Sequence, residues 1–391
     1  MGLLGMALEG GGARGSYQAG AAKALIENGY HFNGFVGTSI GAINSALLAQ
    51  GELETMIELW NTTEVSSLFD IDDEIVKYII NMQFDMLDMV KIQSLFTKML
   101  AERGADTSKI RKMLDDIIDE KKIRQSGNDF GLVTVALPDL RPYEVMLDEI
   151  SEGKLVDYIM ASSCFPGFKA AQIGPKTFID GGFYDNLPIN MLAKRGYKEI
   201  YALRTFAPGI IRKLEYADVE VKTIKPSDDL GLLMYFSSEQ AKININLGYF
   251  DTIKMINRLT GFKYYLKPIS DDTAFDILKK LDDVVIAGIS KPIGINEAPN
   301  RKLFFERTIP SLSSKLKLPK GSNYSDFLVA ALEYIALKWN VPRFELYDFS
   351  SFYRTIRTAV DATPRKKEEL NPLDTSVLRL IAAICPTYAV D

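Results

Sequence analysis

Residues 35–44 (Phe35-Val36-Gly37-Thr38-Ser39-Ile40-Gly41-Ala42-Ile43-Asn44) read as a short apolar strand, a sharp turn and a helix of small residues. The turn is Gly-x-Ser-x-Gly, a pattern that lifts a serine hydroxyl off a strand-to-helix corner. Gly37 and Gly41 suit so tight a corner because neither has a Cβ to collide when strand and helix close on each other. Ser39 would then lie at the positive end of the following helix, where developing negative charge is favoured. A serine so placed is suited to nucleophilic acyl transfer, which also needs a base and donors for the oxyanion.

Gly10-Gly11-Gly12-Ala13-Arg14-Gly15 is a candidate for the donors. It follows an apolar run, Leu3 to Leu8, and precedes a helical pattern. As Gly-x-Gly-x-x-Gly it also mimics a dinucleotide fingerprint, which wants an acid at the end of the second strand. Here the second strand ends in Gly37-Thr38-Ser39. The alternative is an oxyanion site, since consecutive glycines let bare backbone N–H groups converge at a helix N-terminus. Arg14 is suited either to holding this loop or to pairing with an acid at the surface.

The base is constrained by counting. The chain has one histidine, His31, between the first helix and the Ser39 strand. In a parallel α/β sheet such a loop lies at the edge opposite the strand C-termini, where ligands bind. A Ser-His-Asp triad is therefore disfavoured and a carboxylate is expected to serve. Asp180 is the leading candidate, ending the apolar run Phe178-Ile179 and followed by Gly181-Gly182 at a turn; Asp185 is a nearby competitor.

These residues need a scaffold. Strand, helix, strand, helix over the first fifty residues predicts a βαβ unit in a parallel sheet. Further strands are expected at 130–137, before Asp180, and at 199–203, the last read as a final core strand. Residues 51–126 read as helical, with Met82, Met86, Met89 and Met99 among aromatic and aliphatic residues. That face is expected to border an acyl-chain pocket or to pack in the core. From about Asp228 onward the pattern is mostly helical, with a charged, Pro-flanked break at 364–372.

The chain has 391 residues, 47% hydrophobic, with 46 Lys+Arg against 51 Asp+Glu. Its mild acidity, without a basic block, argues against nucleic acid as a partner. Two cysteines are too few for a disulfide framework and suggest a reducing compartment. No membrane span and no signal peptide are expected, so the expected location is cytoplasmic, peripheral to a membrane at most.

The motifs Gly-Gly-Gly-x-Arg-Gly, Gly-Thr-Ser-x-Gly and Asp-Gly-Gly, in this order, resemble those of the patatin-like phospholipases. Ala161-Ser162-Ser163-Cys164-Phe165-Pro166 resembles the stretch that precedes the Asp motif in that family. The resemblance spans about residues 1–205, leaving 206–391 as a mainly helical extension. It implies a three-layer α/β/α fold with a mostly parallel central sheet. It also implies a Ser–Asp dyad acting on acyl esters of lipids, without metal or cofactor. Carried over, Ser39 is the nucleophile and Asp180 the base. Gly10, Gly11, Gly12 and Arg14 line the oxyanion site, and Gly15, Gly37, Gly41, Gly181 and Gly182 complete the motifs. The expected partners are a lipid or acyl-ester substrate and, transiently, a membrane surface. Transfer of the acyl group to another alcohol, or a nucleotide-binding or scaffold role with a dead site, are the alternatives.

Overall fold

The computed structural model describes residues 2–68, 106–165, 168–363 and 369–384. The chain divides into two compact units, Met1–Ile253 and Lys254–Asp391.

The first unit is built on an eight-stranded mixed sheet. Its strands are β1 (Leu4–Leu8), β2 (Gly34–Thr38), β3 (Asp129–Leu137), β4 (Arg141–Met146), β5 (Ala171–Ile173), β6 (Lys176–Asp180), β7 (Glu199–Leu203) and β8 (Glu220–Ile224). The order is β5-β6-β3-β2-β1-β7-β8, with β4 also paired to β3. Neighbours from β3 through β8 along this order are parallel, whereas β4, β5 and β6 join antiparallel. The helix α1 (Gly15–Glu27) connects β1 to β2, and α2 (Ile40–Ala49) leaves β2 toward α3 (Leu53–Thr62).

β1, β2 and β7 are buried almost throughout, as expected of parallel strands covered on both faces. Alternate side chains go to opposite faces. Ala7, Val36 and Ala202 pack with Leu192 and Met191 of the helix Ile189–Lys194. Met6, Leu8, Phe35 and Tyr201 occupy the alternate positions and are equally buried. The result is a three-layer α/β/α arrangement. Steps from β1 through β2 to β3 run one way and β7 lies on the other side of β1, so the strand order reverses at β1. Ligands of open α/β sheets bind beyond the strand C-termini at such a reversal, and the glycine-rich loop leaves β1 there.

Glu199–Leu203 is not the final strand of the sheet. It lies between β1 and β8. The outer strand β8 carries Glu220 and Lys222 and only Ile224 is buried, so it has no apolar run to announce it. Pro142 hides β4 in the same way, because proline removes a ladder donor. The described parts of the 51–126 stretch are helical: Leu53–Thr62, Val65–Leu68, Ser108–Ile117 and Glu120–Gln125. Met82, Met86, Met89 and Met99 lie outside the described residues, as does most of the 364–372 break.

The second unit is mainly helical. Its core gathers Tyr264, Phe304, Phe327, Leu328, Ile335, Phe352 and Leu380. Side-chain caps fix several helix starts: Asn323 on Tyr324–Lys338, Asp348 on Phe349–Ala362 and Asn371 on Pro372–Ala383. The buried Glu333 carboxylate accepts the N–H groups of Phe262, Lys263 and Tyr264 at 2.8–3.0 Å, pinning the chain ahead of the short strand Tyr265–Leu266. Among the described residues no helix is long and apolar enough to cross a membrane.

Candidate active site

Ser39 stands between the last residue of β2 and the first turn of α2, at φ 56 and ψ −127. A serine in this region is strained, at a cost of about 1–3 kcal/mol, and persists only where the surroundings impose it. Here they do. A Cβ on Gly37 would come 2.2 Å from the Gly41 carbonyl oxygen, and one on Gly41 would come 2.3 Å from that of Leu8. Only glycine fits at either flank, so strand and helix close to their limit with Ser39 at the corner. The Ser39 N–H donates to Ser162 Oγ at 2.9 Å, and the Ser39 carbonyl accepts from Ala42 at 2.8 Å, which starts the helix.

Asp180 reaches the same place from another part of the chain. Thr38 of β2 pairs with Val133, and Asp180 of β6 pairs with Thr134. β4 occupies the opposite edge of β3 across these positions, so β2 and β6 share one edge and end facing each other. Gly181 makes the turn possible, since a Cβ there would come 2.1 Å from the Val133 carbonyl oxygen. Asp180 Oδ1 accepts from the Gly182 N–H at 2.8 Å. Oδ2 has no partner at full hydrogen-bonding distance among the described residues. Burial pushes the Asp180 carboxyl up to about 6, against the Gly182 N–H and the nearby Ser39 hydroxyl, which both favour its charged form.

The glycine-rich loop passes beside Ser39, but its polar groups divide. The Gly10 N–H donates to the Asn186 carbonyl at 3.0 Å and the Ala13 N–H to that of Leu233 at 2.7 Å. Among the described residues, the N–H groups of Gly11 and Gly12 have no acceptor, and both residues line the cavity with Ser39 and Asp180. Gly12 takes φ +53, and a Cβ would come 2.1 Å from the Leu233 carbonyl oxygen. Arg14 points elsewhere: Nε donates to the Gly231 carbonyl at 2.8 Å and Nη1 to that of Phe206 at 3.0 Å. Its fork clamps two loops. Gly15 lets α1 pack against α2 and α3, where a Cβ would come 2.7 Å from Ile40 and 2.8 Å from Trp60.

Below the loop is a buried polar network. Glu9, fully buried, accepts from Arg204 Nε at 2.9 Å and from the N–H groups of Thr205 and Phe206 at 2.6 and 3.1 Å. Thr205 Oγ1 donates to the Gly10 carbonyl at 2.6 Å. The loop is thus tied to the end of β7, and a charged residue ending an otherwise apolar strand was the one available hint.

Asp185 is buried and turned away. Its Oδ1 accepts from the N–H groups of Leu187 and Arg212 at 3.1 and 3.3 Å, and it does not line the cavity. Burial pushes its carboxyl up to about 6, offset in part by those two N–H donors. His31 is exposed in the loop before β2, at the strand's opposite end from Ser39.

A cavity of about 390 Å³ adjoins Ser39 and Asp180. Its apolar wall includes Ile43, Trp60, Met113, Met160, Met234 and Phe236. Trp60 and Phe236 stack with ring centroids 6.3 Å apart and planes at 5°. Cys164, also on the wall, is a free thiol that burial pushes up to about 11, so it stays protonated at neutral pH. Among the described residues no group of three or more His, Cys, Asp or Glu is placed to hold a metal ion.

The family model described as patatin-like phospholipase matches residues 6–193. The uncharacterized protein YqhO of Bacillus subtilis is 27% identical over 217 residues, covering 51% of this chain and 69% of that protein. Patatin-like phospholipase domain-containing protein 7 of Rattus norvegicus is 25% identical over 203 residues, and the match takes in only 13% of its length. Among solved structures, VipD from Legionella pneumophila aligns over 100% of this chain and 92% of its own, at 14% identity and a TM-score of 0.43. Residues 6–193, which carry all three motifs, belong to the patatin-like phospholipase family.

Proposed function

We propose that this protein hydrolyses carboxylic esters of lipids through an acyl-enzyme on Ser39, with Asp180 as the base. The observation that carries the reading is the pairing itself: a strained serine at a helix N-terminus beside a buried carboxylate with one unpartnered oxygen. Ser39 Oγ attacks the ester carbonyl carbon as its proton passes to Asp180 Oδ2, while Oδ1 stays on the Gly182 N–H. The carbonyl oxygen becomes an oxyanion facing the free N–H groups of Gly11 and Gly12, an arrangement commonly worth several kcal/mol of barrier. Collapse expels the alcohol, which takes the proton from Asp180. Water then attacks the acyl-enzyme by the same steps in reverse order and frees the acid. The apolar cavity wall supports an acyl chain as the group held beside Ser39. In this reading Arg14 and the Glu9 network position the loop and do not touch the reacting atoms.

A fluorophosphonate probe tests the assignment. Wild-type protein should be labelled on Ser39 and Ser39→Ala should stay unlabelled. Folded wild-type protein that resists the probe, or carries it on another serine, would overturn the reading.

A further inference from the structure

Two loops at the C-terminal edge of the sheet border the cavity. The one after β7 gives Ala207 and Pro208 to its wall, and the one after β8 gives Leu233, Met234 and Phe236. Arg14 ties them together through the carbonyls of Phe206 and Gly231. The residues that alternate with the wall residues turn outward. Phe206 is 50% exposed, Ile210 54%, Leu232 42% and Tyr235 45%, and Phe206 is held at φ 51, where a bulky side chain is a rarity. Single exposed apolar side chains are ordinary, but a group of them beside a cavity marks an interaction surface.

The charges on these loops say what kind of surface fits. Arg204 is paired with Glu9 and Arg212 with Glu215. Lys213 and Lys225 are offset in number by Asp228 and Asp229. The rim is therefore apolar and close to neutral, unlike the basic patches that bind anionic membranes. Phe, Tyr, Ile and Leu without a basic field suit the interfacial zone of a zwitterionic bilayer.

We propose that Phe206, Ile210, Leu232 and Tyr235 form a docking rim that inserts into the surface of a zwitterionic lipid bilayer beside the cavity. The proposal rests on the lipid-ester reading for its purpose, but docking can be measured without turnover. Ether-linked phosphatidylcholine vesicles offer no ester to cleave. Wild-type protein should co-sediment with them, with little dependence on salt or on added phosphatidylglycerol. The combined variant Ile210→Ser, Leu232→Ser, Tyr235→Ser should partition about a hundredfold more weakly, from partial loss of three apolar side chains. It should keep its turnover of a soluble short-chain ester. Leu3→Ser, changed at the opposite edge of the sheet just before β1, should bind like wild type.

Should the combined variant fail to fold, Leu232→Trp carries the test. Its emission should shift to the blue and be quenched by brominated lipid, while Leu3→Trp should not change. Equal partition of wild type and rim variant would overturn the proposal. So would binding that needs anionic lipid and disappears in salt, or a rim buried in a dimer that the variant converts to monomer. Vesicle binding without fluorophosphonate labelling would refute the esterase reading alone; labelling without vesicle binding would refute the rim alone.

Discussion

Thr38 and Asp180 end two different strands one residue apart along the same edge of β3, opposite Val133 and Thr134. β2 arrives parallel to β3 and β6 arrives antiparallel, so their C-termini meet head to head. The next residue after Thr38 is Ser39, and the last residue of β6 is Asp180. Sheet register, rather than any loop, therefore brings the serine and the carboxylate together. A constellation on strands is held more tightly than one on loops, which suits chemistry that tolerates little misplacement.

Replacing Ser39 or Asp180 should separate activity from stability. Ser39→Ala and Asp180→Asn are each expected to lower kcat for ester hydrolysis at least about a thousandfold, with the fold retained. Ser39→Gly should be as inactive but more stable than wild type by about 1 kcal/mol, because glycine relieves the strain at φ 56. Thermal unfolding of the two Ser39 variants checks this. A glycine variant no more stable than the alanine variant would mean that the corner stores no strain.

The pH dependence follows from burial of the base. Asp180 must be ionised to accept the serine proton, and its carboxyl is pushed up to about 6. kcat/KM should therefore rise through an acid limb near pH 6, instead of near 4 as for a solvated aspartate. Imidazoles titrate in the same range, so His31→Phe is the control. It should leave both the limb and the rate in place, since His31 lies before β2 and Ser39 after it. Loss of the limb in that variant would remove Asp180 from the base role.

The motif residues were legible because local sterics dictate their types. Gly37, Gly41 and Gly181 each face a backbone carbonyl oxygen too close for a Cβ, so the requirement is written in the sequence as glycine. What supports them was not legible. Ser162 holds the Ser39 N–H across 123 positions of sequence, and Glu9 meets Arg204 across 195. No periodicity links residues so far apart. Trp60 and Leu68 line the cavity from the 51–126 stretch, but Met160 comes from a later helix and Met234 and Phe236 from the loop after β8, and the Met face expected to border a pocket lies outside the described residues. β8 has no apolar run because two of its five residues are charged and it lies at the border of the sheet.

Arg14 gives a test that tells loop clamping from oxyanion binding. Its donors are spent on the carbonyls of Gly231 and Phe206. Arg14→Lys keeps a positive charge but loses the fork that reaches both loops. The variant should melt lower and lose about tenfold in kcat/KM, with the loss shared between kcat and KM. Loss of a direct oxyanion donor costs about 100- to 1000-fold, in kcat alone. A kcat-only loss of that size at unchanged melting temperature would place Arg14 on the reacting oxygen.

Asp185 offers a stability measurement independent of catalysis. Its carboxyl is buried, and burial pushes it up to about 6 from an unfolded value near 4. A carboxyl with a raised pKa binds its proton more tightly in the folded state. The folded protein is therefore favoured below the unfolded pKa, and this contribution is lost as pH rises through the folded pKa. Above pH 6 the ionised group is a burden of about 3 kcal/mol, from a shift of about two units at about 1.4 kcal/mol each. Asp185→Asn keeps an oxygen to accept the Leu187 and Arg212 N–H groups but cannot ionise. The stability of the variant relative to wild type should therefore rise by about 2 kcal/mol between pH 4 and pH 8, read from denaturant unfolding at each pH. Because Asp185 does not line the cavity, the acid limb of kcat/KM should stay near pH 6 in the variant. A limb that moved with Asp185→Asn would mean that the two carboxyls titrate together, and the base could no longer be assigned to Asp180 alone.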